Sequence, residues 1–312
     1  MKILVSNNYL EERICNLCKS DDAKKVYKST ITNRYDDHIS FTCTNNRHSE
    51  HFQVVKCKKC GLYYCSPRLG MNNLARIYSN VQDTIYKEEL NGRIKTFKRN
   101  LKNLSKHKSN GTLLDIGCSI GVFLSIAKKD GWEVSGIEPS SWCAEQGKKI
   151  FNLKDNLFVK DIKDLDKLNK KYDVITMWDV LEHLDDPMQA LIICKETLKE
   201  GGILAMSTVN IGSLYAKILG KRWPWLMTMH IYYFDKSTIR KYLDKVGLDL
   251  LEIRTYKHTI SLNYLLYKLK SINIILYTIG KFIKKFLLFD KNIYLDVAFG
   301  DFMEIYAQKR NL

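Results

Sequence analysis

Residues 113–123, LLDIGCSIGVF, constrain the fold of this 312-residue chain more than any other stretch. The apolar run TLLDI reads as a buried strand, yet it carries an acid, Asp115, at its end and then breaks into a turn spaced by Gly117 and Gly121. The segment VFLSIAKKDG that follows has helical spacing and a glycine stop at Gly131. The same strand–turn–helix order recurs downstream. WEVSGIEPS reads as a second strand ending in Glu138, NLFVKDI as a third ending at Asp161, YDVITMWDV as a fourth and GILAMSTV as a fifth. Between the last two, Asp186 reads as a helix cap, Pro187 as the first helical residue and Gly201 as the stop. Strands alternating with helices predict a mostly parallel, doubly wound α/β sheet that takes its ligands at the carboxyl ends of its strands.

The turn after the first strand decides which ligand. A dinucleotide site uses G-x-G-x-x-G, so that a pyrophosphate sits on a helix N-terminus. Here the order is D-x-G-x-x-x-G, and Asp115 stands where a pyrophosphate would be repelled. An acid there suits a cationic group. Glu138 is placed for the two hydroxyls of a ribose, and Asp161 with Ile162 offers a polar and an apolar contact to an adenine. An amino-acid cation, a ribose and an adenine together describe S-adenosylmethionine.

LLDIGCSIGVF, GIEPS, YDVITMWDVLEHLDDP and LKEGGILAMSTVN, in this order and spacing, resemble the class I S-adenosylmethionine-dependent methyltransferases over residues 111 to about 250. The resemblance implies a Rossmann-like α/β sheet, mostly parallel with an antiparallel last strand. It also implies cofactor contacts at Asp115, Gly117, Cys118, Gly121, Glu138, Pro139, Asp161, Ile162, Trp178 and Asp179. Ser119 stands where many members have glycine.

Ahead of this region, CNLC (Cys15, Cys18) and CKKCG (Cys57, Cys60) are C-x-x-C knuckles with the spacing of a tetrahedral Zn²⁺ site. Four protein ligands leave no open position, so this zinc reads as structural. Cys43, His48 and His51 lie between the pairs as substitute ligands. Such a ribbon joined to this domain is similar to a bacterial group linked to sugar and surface-glycan methylation. MHIYYFDKSTIRKYLDKVGLDLLEI and FGDFMEIYAQKR are similar to that group's later segments. The acceptor so implied is a sugar nucleotide or glycan precursor. The expected organisation is a zinc-ribbon module over 1–70, a helical connector over 71–110 and the methyltransferase core over 111–258. A helical insertion plus the final strand of the sheet fill 259–312. Residues 260–289 are apolar but carry Lys268, Lys270, Lys281, Lys284 and Lys285, and read as a lid, a self-association surface or a peripheral membrane contact.

Methyl transfer is an in-line displacement on a sulfonium and needs an aligned acceptor and, for a hydroxyl, a proton acceptor. Of the seven histidines, His183 in WDVLEHL and His230 in MTMHIYYF fall beyond the fourth and fifth strands, and either is a candidate base. Asp179, Glu182 and His183 stand at i, i+3 and i+4. With His230 they make a donor set of divalent-metal character. That arrangement is similar to the metal-dependent ubiquinone-pathway and small-RNA O-methyltransferases, which have glutamate where Asp179 sits. A third reading has Glu182 and His183 merely tying their turn together. Trp223, Trp225, Tyr232 and Tyr233 either wall the acceptor or plug the end of the sheet.

A net charge of +16 favours nucleic acid, a membrane surface or an anionic small substrate, but the lysines are spread along the chain without a basic block. RNA methylation with the ribbon gripping RNA is therefore the rival activity. The fourth strand lacks the Asn/Asp-Pro-Pro-aromatic signature of exocyclic-amine methylation, and no Pro-Cys pair offers a nucleophile for pyrimidine C5. Those absences leave 2′-hydroxyl methylation open, as they leave a scaffold that binds the cofactor without turnover. MKILVSNNYLEER lacks the pattern of a signal peptide, and no run of about 18 uncharged apolar residues occurs. A cytoplasmic setting is expected, where close cysteine pairs read as metal ligands.

Overall fold

In the computed structural model, which describes residues 10–31, 50–70, 89–168, 170–266, 274–284, 286 and 293–310, the N-terminal part is built from short antiparallel strands. They are β1 (Leu10–Glu11), β2 (Ala23–Tyr27), β3 (Val54–Cys57), β4 (Tyr63–Cys65) and β5 (Arg68–Leu69). β2, β3 and β4 form one sheet, and β1 pairs with β5. The first C-x-x-C precedes β2 and the second turns out of β3, where Gly61 at φ 88° allows the tight reversal into β4.

Next come α1 (Leu90–Leu104), β6 (Thr112–Ile116), α2 (Val122–Lys129), β7 (Glu133–Glu138) and α3 (Ser141–Phe151). β8 (Leu157–Val159), β9 (Tyr172–Trp178), α4 (Pro187–Thr197) and β10 (Leu198–Val209) follow. These strands pair in parallel in the spatial order β8-β7-β6-β9-β10. Leu113, Leu114 and Ile116 of β6 are all buried, as expected of a strand in a parallel sheet covered on both faces. The remainder comprises α5 (Leu214–Leu219), β11 (Tyr232–Tyr233), α6 (Lys236–Val246), β12 (Leu248–Thr255), β13 (His258–Ser261), α7 (Ile274–Ile283), β14 (Tyr294–Val297) and β15 (Phe302–Lys309). β15 enters between β10 and β12, antiparallel to both, and completes a seven-stranded sheet. The predicted architecture, mostly parallel with an antiparallel last strand, is the one found.

Several local expectations shift. α4 begins as predicted, with the Asp186 carboxylate accepting from the Gln189 N–H at 3.0 Å and Pro187 in the first turn. It ends at Thr197, however, and Gly201 is no helix stop. That glycine lies inside β10 at φ 69°, where the register with β9 slips between Leu198 and Ile203. The third strand ends at Val159, two residues short of Asp161. Of the predicted connector, 71–88 falls outside the described residues, and α1 occupies its second half. α1 packs tightly on β13: a Cβ at Gly92 would stand 2.5 Å from the Thr259 carbonyl oxygen. The 259–312 segment begins as the β13–β14 ribbon before it becomes helical; 267–273 and 287–292 lie outside the described residues. α7 exposes Ile274, Ile279, Phe282 and Ile283, yet among the described residues no helix is long and apolar enough to cross a membrane.

The N-terminal sheet and the large sheet share one core. β11, from far downstream, pairs with β4, and buried side chains run without a break from Leu17 and Phe52 through Leu226 to Ile175 and Met206. Polar contacts reinforce the join. Asn16, inside the first knuckle, donates to Asp186 Oδ1 at 2.8 Å and accepts from the Met188 N–H at 3.1 Å and the Tyr242 hydroxyl at 2.9 Å. Arg68, 1% exposed, pairs with Asp185 at 2.7 Å, and the Tyr232 hydroxyl donates to the Asp185 carbonyl at 3.1 Å. The ribbon therefore holds the start of α4, which follows directly from the Leu181–His183 turn.

Candidate active site

The carboxyl ends of β6, β7, β8 and β9 gather the residues predicted for the cofactor. Asp115 is 2% exposed, and its Oδ1 accepts from the Thr176 hydroxyl at 2.6 Å. The loop after it is left-handed at Gly117 (φ 68°), Ser119 (φ 50°) and Gly121 (φ 75°). A Cβ at Gly117 would sit 2.7 Å from Val180 Cγ2, so side chains are excluded there twice over. Ser119, at the position where the resemblance expects glycine, takes the left-handed angle at a strain of roughly 1–2 kcal/mol. Its compensation is visible: the Ser119 N–H donates to Glu138 Oε2 at 2.9 Å while the Ser140 N–H donates to Oε1 at 2.9 Å. Glu138 thus fastens the loop to the start of α3.

Burial pushes Asp115 up to about 7, with Thr176 pulling part of the way back and Glu138 adding to the rise. Burial likewise pushes Glu138 up to about 7 against the two backbone donors. Among the described residues neither carboxylate has a cationic partner within ion-pair distance. Two buried acids without a cation suit a ligand that brings its own positive charge. Cys118, Ile162 and Trp178 are buried nearby, Pro139 is half-buried, and Asp161 is exposed, its Oδ1 accepting from the Lys163 N–H at 3.0 Å. Trp178 meets Phe123 edge-on and stacks on Tyr256, and its Nε1 has no hydrogen-bond partner.

Beyond β9 the turn collects the other predicted residues. Glu182 is fully buried, and its Oε2 accepts from the Thr208 hydroxyl at 2.8 Å while Oε1 has no partner. Burial, with the Asp179 charge adding to it, pushes Glu182 up to about 8. His183 Nδ1 lies 2.9 Å from the Met229 carbonyl oxygen, and His230 Nδ1 2.8 Å from that of Trp225. Carbonyls only accept, so both Nδ1 atoms carry the hydrogen and both Nε2 atoms carry lone pairs. The two rings are 4.9 Å apart, and ligand atoms of Glu182, His183 and His230 lie within 4.8 Å of one another. Backbone carbonyls fixing the tautomers of two imidazoles beside a carboxylate is how metal-binding histidines are held. Burial lowers His183, and burial followed by the His183 charge lowers His230 to about 3. Such imidazoles resist protonation, which favours ligands over bases.

Asp179 does not join that group. It follows β9 at φ 56°, its N–H donates to Ser207 Oγ at 2.9 Å, and Ser207 Oγ donates to Oδ1 at 2.5 Å. Its Oδ2 faces His258 Nε2 at 3.5 Å. The predicted four-residue donor set therefore contracts to three. Of the aromatic residues, Trp223, Tyr232 and Tyr233 are core. Trp225 lines a cleft with Tyr215, Tyr256, His258, Phe299 and Phe302, and donates through Nε1 to Asp301 at 2.6 Å. Sequence reading missed His258: in TYKHTIS nothing local marks it.

The four knuckle thiols converge as predicted. Cys15 and Cys60 Sγ are 3.3 Å apart, Cys18 and Cys57 3.5 Å, and all four lie within 4.8 Å. Zn–S bonds of about 2.3 Å give sulfur–sulfur edges of about 3.8 Å, so a Zn²⁺ fits with small adjustments. Burial pushes Cys60 up to about 11, whereas at Cys57 burial is outweighed by backbone N–H donors of the knuckle together with the neighbouring Cys18 and Cys60 thiols, which bring it down to about 7. Of the substitute ligands, His51 points instead at the Phe52 carbonyl oxygen, 2.7 Å from its Nδ1, and Cys43 and His48 lie outside the described residues.

A family model described as a methyltransferase domain matches residues 86–253. The ubiquinone biosynthesis O-methyltransferase of Coxiella burnetii is 28% identical over 171 residues, covering 52% of this chain and 71% of that protein. The protein of the same name from Saccharophagus degradans is 29% identical over 183 residues, covering 51% and 77%. Among solved structures, an S-adenosylmethionine-dependent methyltransferase from Thermotoga maritima, described as a possible histamine N-methyltransferase, aligns with TM-score 0.46 and 19% identity over 72% of this chain and 93% of that one. Magnesium protoporphyrin IX methyltransferase from Synechocystis aligns with TM-score 0.44 and 16% identity over 77% and 94%.

Proposed function

Because the chain belongs to the methyltransferase domain family, matched over residues 86–253, we propose that it moves the methyl group of S-adenosylmethionine to a hydroxyl oxygen of a small, ring-shaped acceptor. The enzyme is an S-adenosylmethionine-dependent methyltransferase. What carries the oxygen assignment is the group of Glu182, His183 and His230 beside the cofactor strands, a donor set suited to a hydroxyl activator. The relatives named O-methyltransferase agree with it. The aromatic cleft supports a ring that stacks, and the net charge of +16 supports an anionic one. A sugar nucleotide or glycan precursor meets both conditions and is the first acceptor class to test. An acceptor from ubiquinone biosynthesis, the route for which the relatives are named, is the second. The proposal includes one Zn²⁺ on Cys15, Cys18, Cys57 and Cys60 that shapes the fold.

In the proposed mechanism the sulfonium end lies against Asp115 and the ribose against Glu138, whose backbone donors keep the carboxylate aimed. Glu182, His183 and His230 would hold a divalent ion; when bound, it supplies a Lewis acid that lowers the pKa of a hydroxyl. The unpartnered Glu182 Oε1 is the observation that this donor set fits. Trp225, Tyr256 and Phe302 exclude water from the line of attack and orient the acceptor ring.

A pH dependence follows. Below about 7, Asp115 holds a proton that a bound cation must displace. Affinity for S-adenosylmethionine is therefore expected to fall as pH drops from 7 to 5.5, by up to about tenfold per unit. Proton release measured by calorimetry in two buffers should accompany binding. The free protein follows the opposite linkage. Its raised acids keep protons that the unfolded chain releases, so they favour the fold at low pH, and that contribution is lost as pH rises from about 4 to 7. A flat affinity profile would remove Asp115 from the cation site.

The activity itself is tested with methyl-labelled S-adenosylmethionine and fractionated cell extract. Label is expected in the acid-soluble small-molecule pool, base-stable as an ether. Label in RNase-sensitive polymer would overturn the small-acceptor reading in favour of RNA.

A further inference from the structure

We propose that His258, oriented by Asp179, takes the proton from the acceptor hydroxyl; this deepens the methyl-transfer reading and rests on it. His258 opens β13, where the chain has just left the large sheet, and its ring is gripped edge-on by Tyr256 at 4.6 Å and Phe302 at 4.7 Å. It is one of the residues lining the aromatic cleft, and about a third of its side chain is exposed. Its Nε2 faces Asp179 Oδ2 at 3.5 Å, the long end of hydrogen-bond range. A carboxylate only accepts, so Nε2 carries the hydrogen and Nδ1 the lone pair. Ser207 Oγ donates to the other Asp179 oxygen at 2.5 Å and fixes the carboxylate plane.

This arrangement separates His258 from the other imidazoles of the site. His183 and His230 face carbonyl oxygens in buried surroundings that disfavour the imidazolium. His258 faces an anion. At Asp179 burial acts upward, but the His258 hydrogen bond and charge, Ser207 and the Arg93 charge together hold it below the usual carboxylate range. The groups around the pair are Arg93 of α1, Glu182 of the catalytic turn, Asp301 at the cleft and the Tyr256 hydroxyl, to which Asn100 Nδ2 donates at 2.9 Å. Lys257, next in sequence, is exposed.

The step balances without a co-reactant. The hydroxyl oxygen gives an electron pair to the methyl carbon, the carbon–sulfur pair stays on sulfur, and the proton goes to His258 Nδ1. The sulfonium becomes a thioether, and the new imidazolium is balanced by Asp179 until the partly exposed ring passes the proton to water.

The test uses the full chain with labelled S-adenosylmethionine and the extract fraction that the wild type labels. His258→Gln is expected to lower label transfer about 10²–10⁴-fold, with S-adenosylhomocysteine binding within twofold of wild type. Asp179→Asn tolerates the same left-handed backbone and is expected to lower transfer less. It should also move the acid limb of kcat/KM to lower pH, because removing the anion destabilises the imidazolium. Transfer within threefold of wild type by His258→Gln, or an unmoved acid limb in Asp179→Asn, overturns the pair while leaving the methyltransferase reading in place. No transfer by the wild type to any fraction overturns that reading and this proposal with it.

Discussion

Replacing Cys57 by serine is expected to cost the chain the zinc proposed for its four knuckle thiols, lower its melting temperature by about 10 °C and abolish methyl transfer, although no residue of the cleft is altered. The route runs through Asn16. It sits between Cys15 and Cys18, so a zinc closing the knuckle would also set the side chain that clamps Asp186, Met188 and Tyr242. Those contacts hold the first turn of α4, and the residues just before it are Glu182 and His183. Arg68 adds to the same join, buried and paired with Asp185. Leaving such a charge without its partner costs about 3–5 kcal/mol. Asn16→Ala separates the two roles: it keeps four thiolates and should keep zinc, yet it removes the clamp and should lower turnover. Metal analysis, calorimetric melting and label transfer read all three quantities. A Cys57→Ser protein with unchanged melting and turnover would reduce the ribbon to four packed thiols.

What could be read from the chain alone follows how local each feature is. Asp115, Gly117, Gly121 and Glu138 were legible because one strand, one tight turn and the next strand end specify them. The knuckle cysteines were legible because C-x-x-C spacing fixes the turn. Asp179 falls outside the expected donor set because i, i+3, i+4 spacing assumes a helical turn, whereas the turn is a short 3-10 helix over Leu181–His183 and Asp179 precedes it with φ 56°. Its carboxylate thus points to Ser207 and His258. His258 was invisible because its partner lies 79 positions away and the two meet only when β13 leaves the sheet over the cleft. The fusion of ribbon and core was hidden for a similar reason, since β11 is two residues long and pairs across the whole domain. Gly201 misled because a glycine after a helical run fits a helix stop and a strand irregularity equally well.

Glu182→Gln should abolish turnover while leaving the fold at least as stable as before, and the contrast is what identifies its role. Without a metal, burial raises this acid to about 8, so near neutral pH it is largely protonated. Glutamine of nearly the same shape keeps an oxygen for the Thr208 hydroxyl and removes an acid that keeps in the fold a proton the unfolded chain releases, a cost to stability that grows as pH rises from 4.5 to about 8 and then levels off. The melting temperature is therefore expected to match the wild type near pH 4 and to exceed it at pH 7 and above. A metal ligand behaves oppositely in function, since only the carboxylate can neutralise a divalent ion held by His183 and His230. Loss of a supporting partner alone costs roughly 10–100-fold in metal affinity or activity. Loss of the anionic ligand should cost at least that, and His230→Ala should match it. Mild chelation that leaves one zinc per chain should silence the wild type, and added Mg²⁺ or Mn²⁺ should restore it but not restore Glu182→Gln. Full turnover by Glu182→Gln, or by chelated wild type, would mean that Glu182 and His183 only tie their turn together. The proton would then leave through His258 without help from a cation.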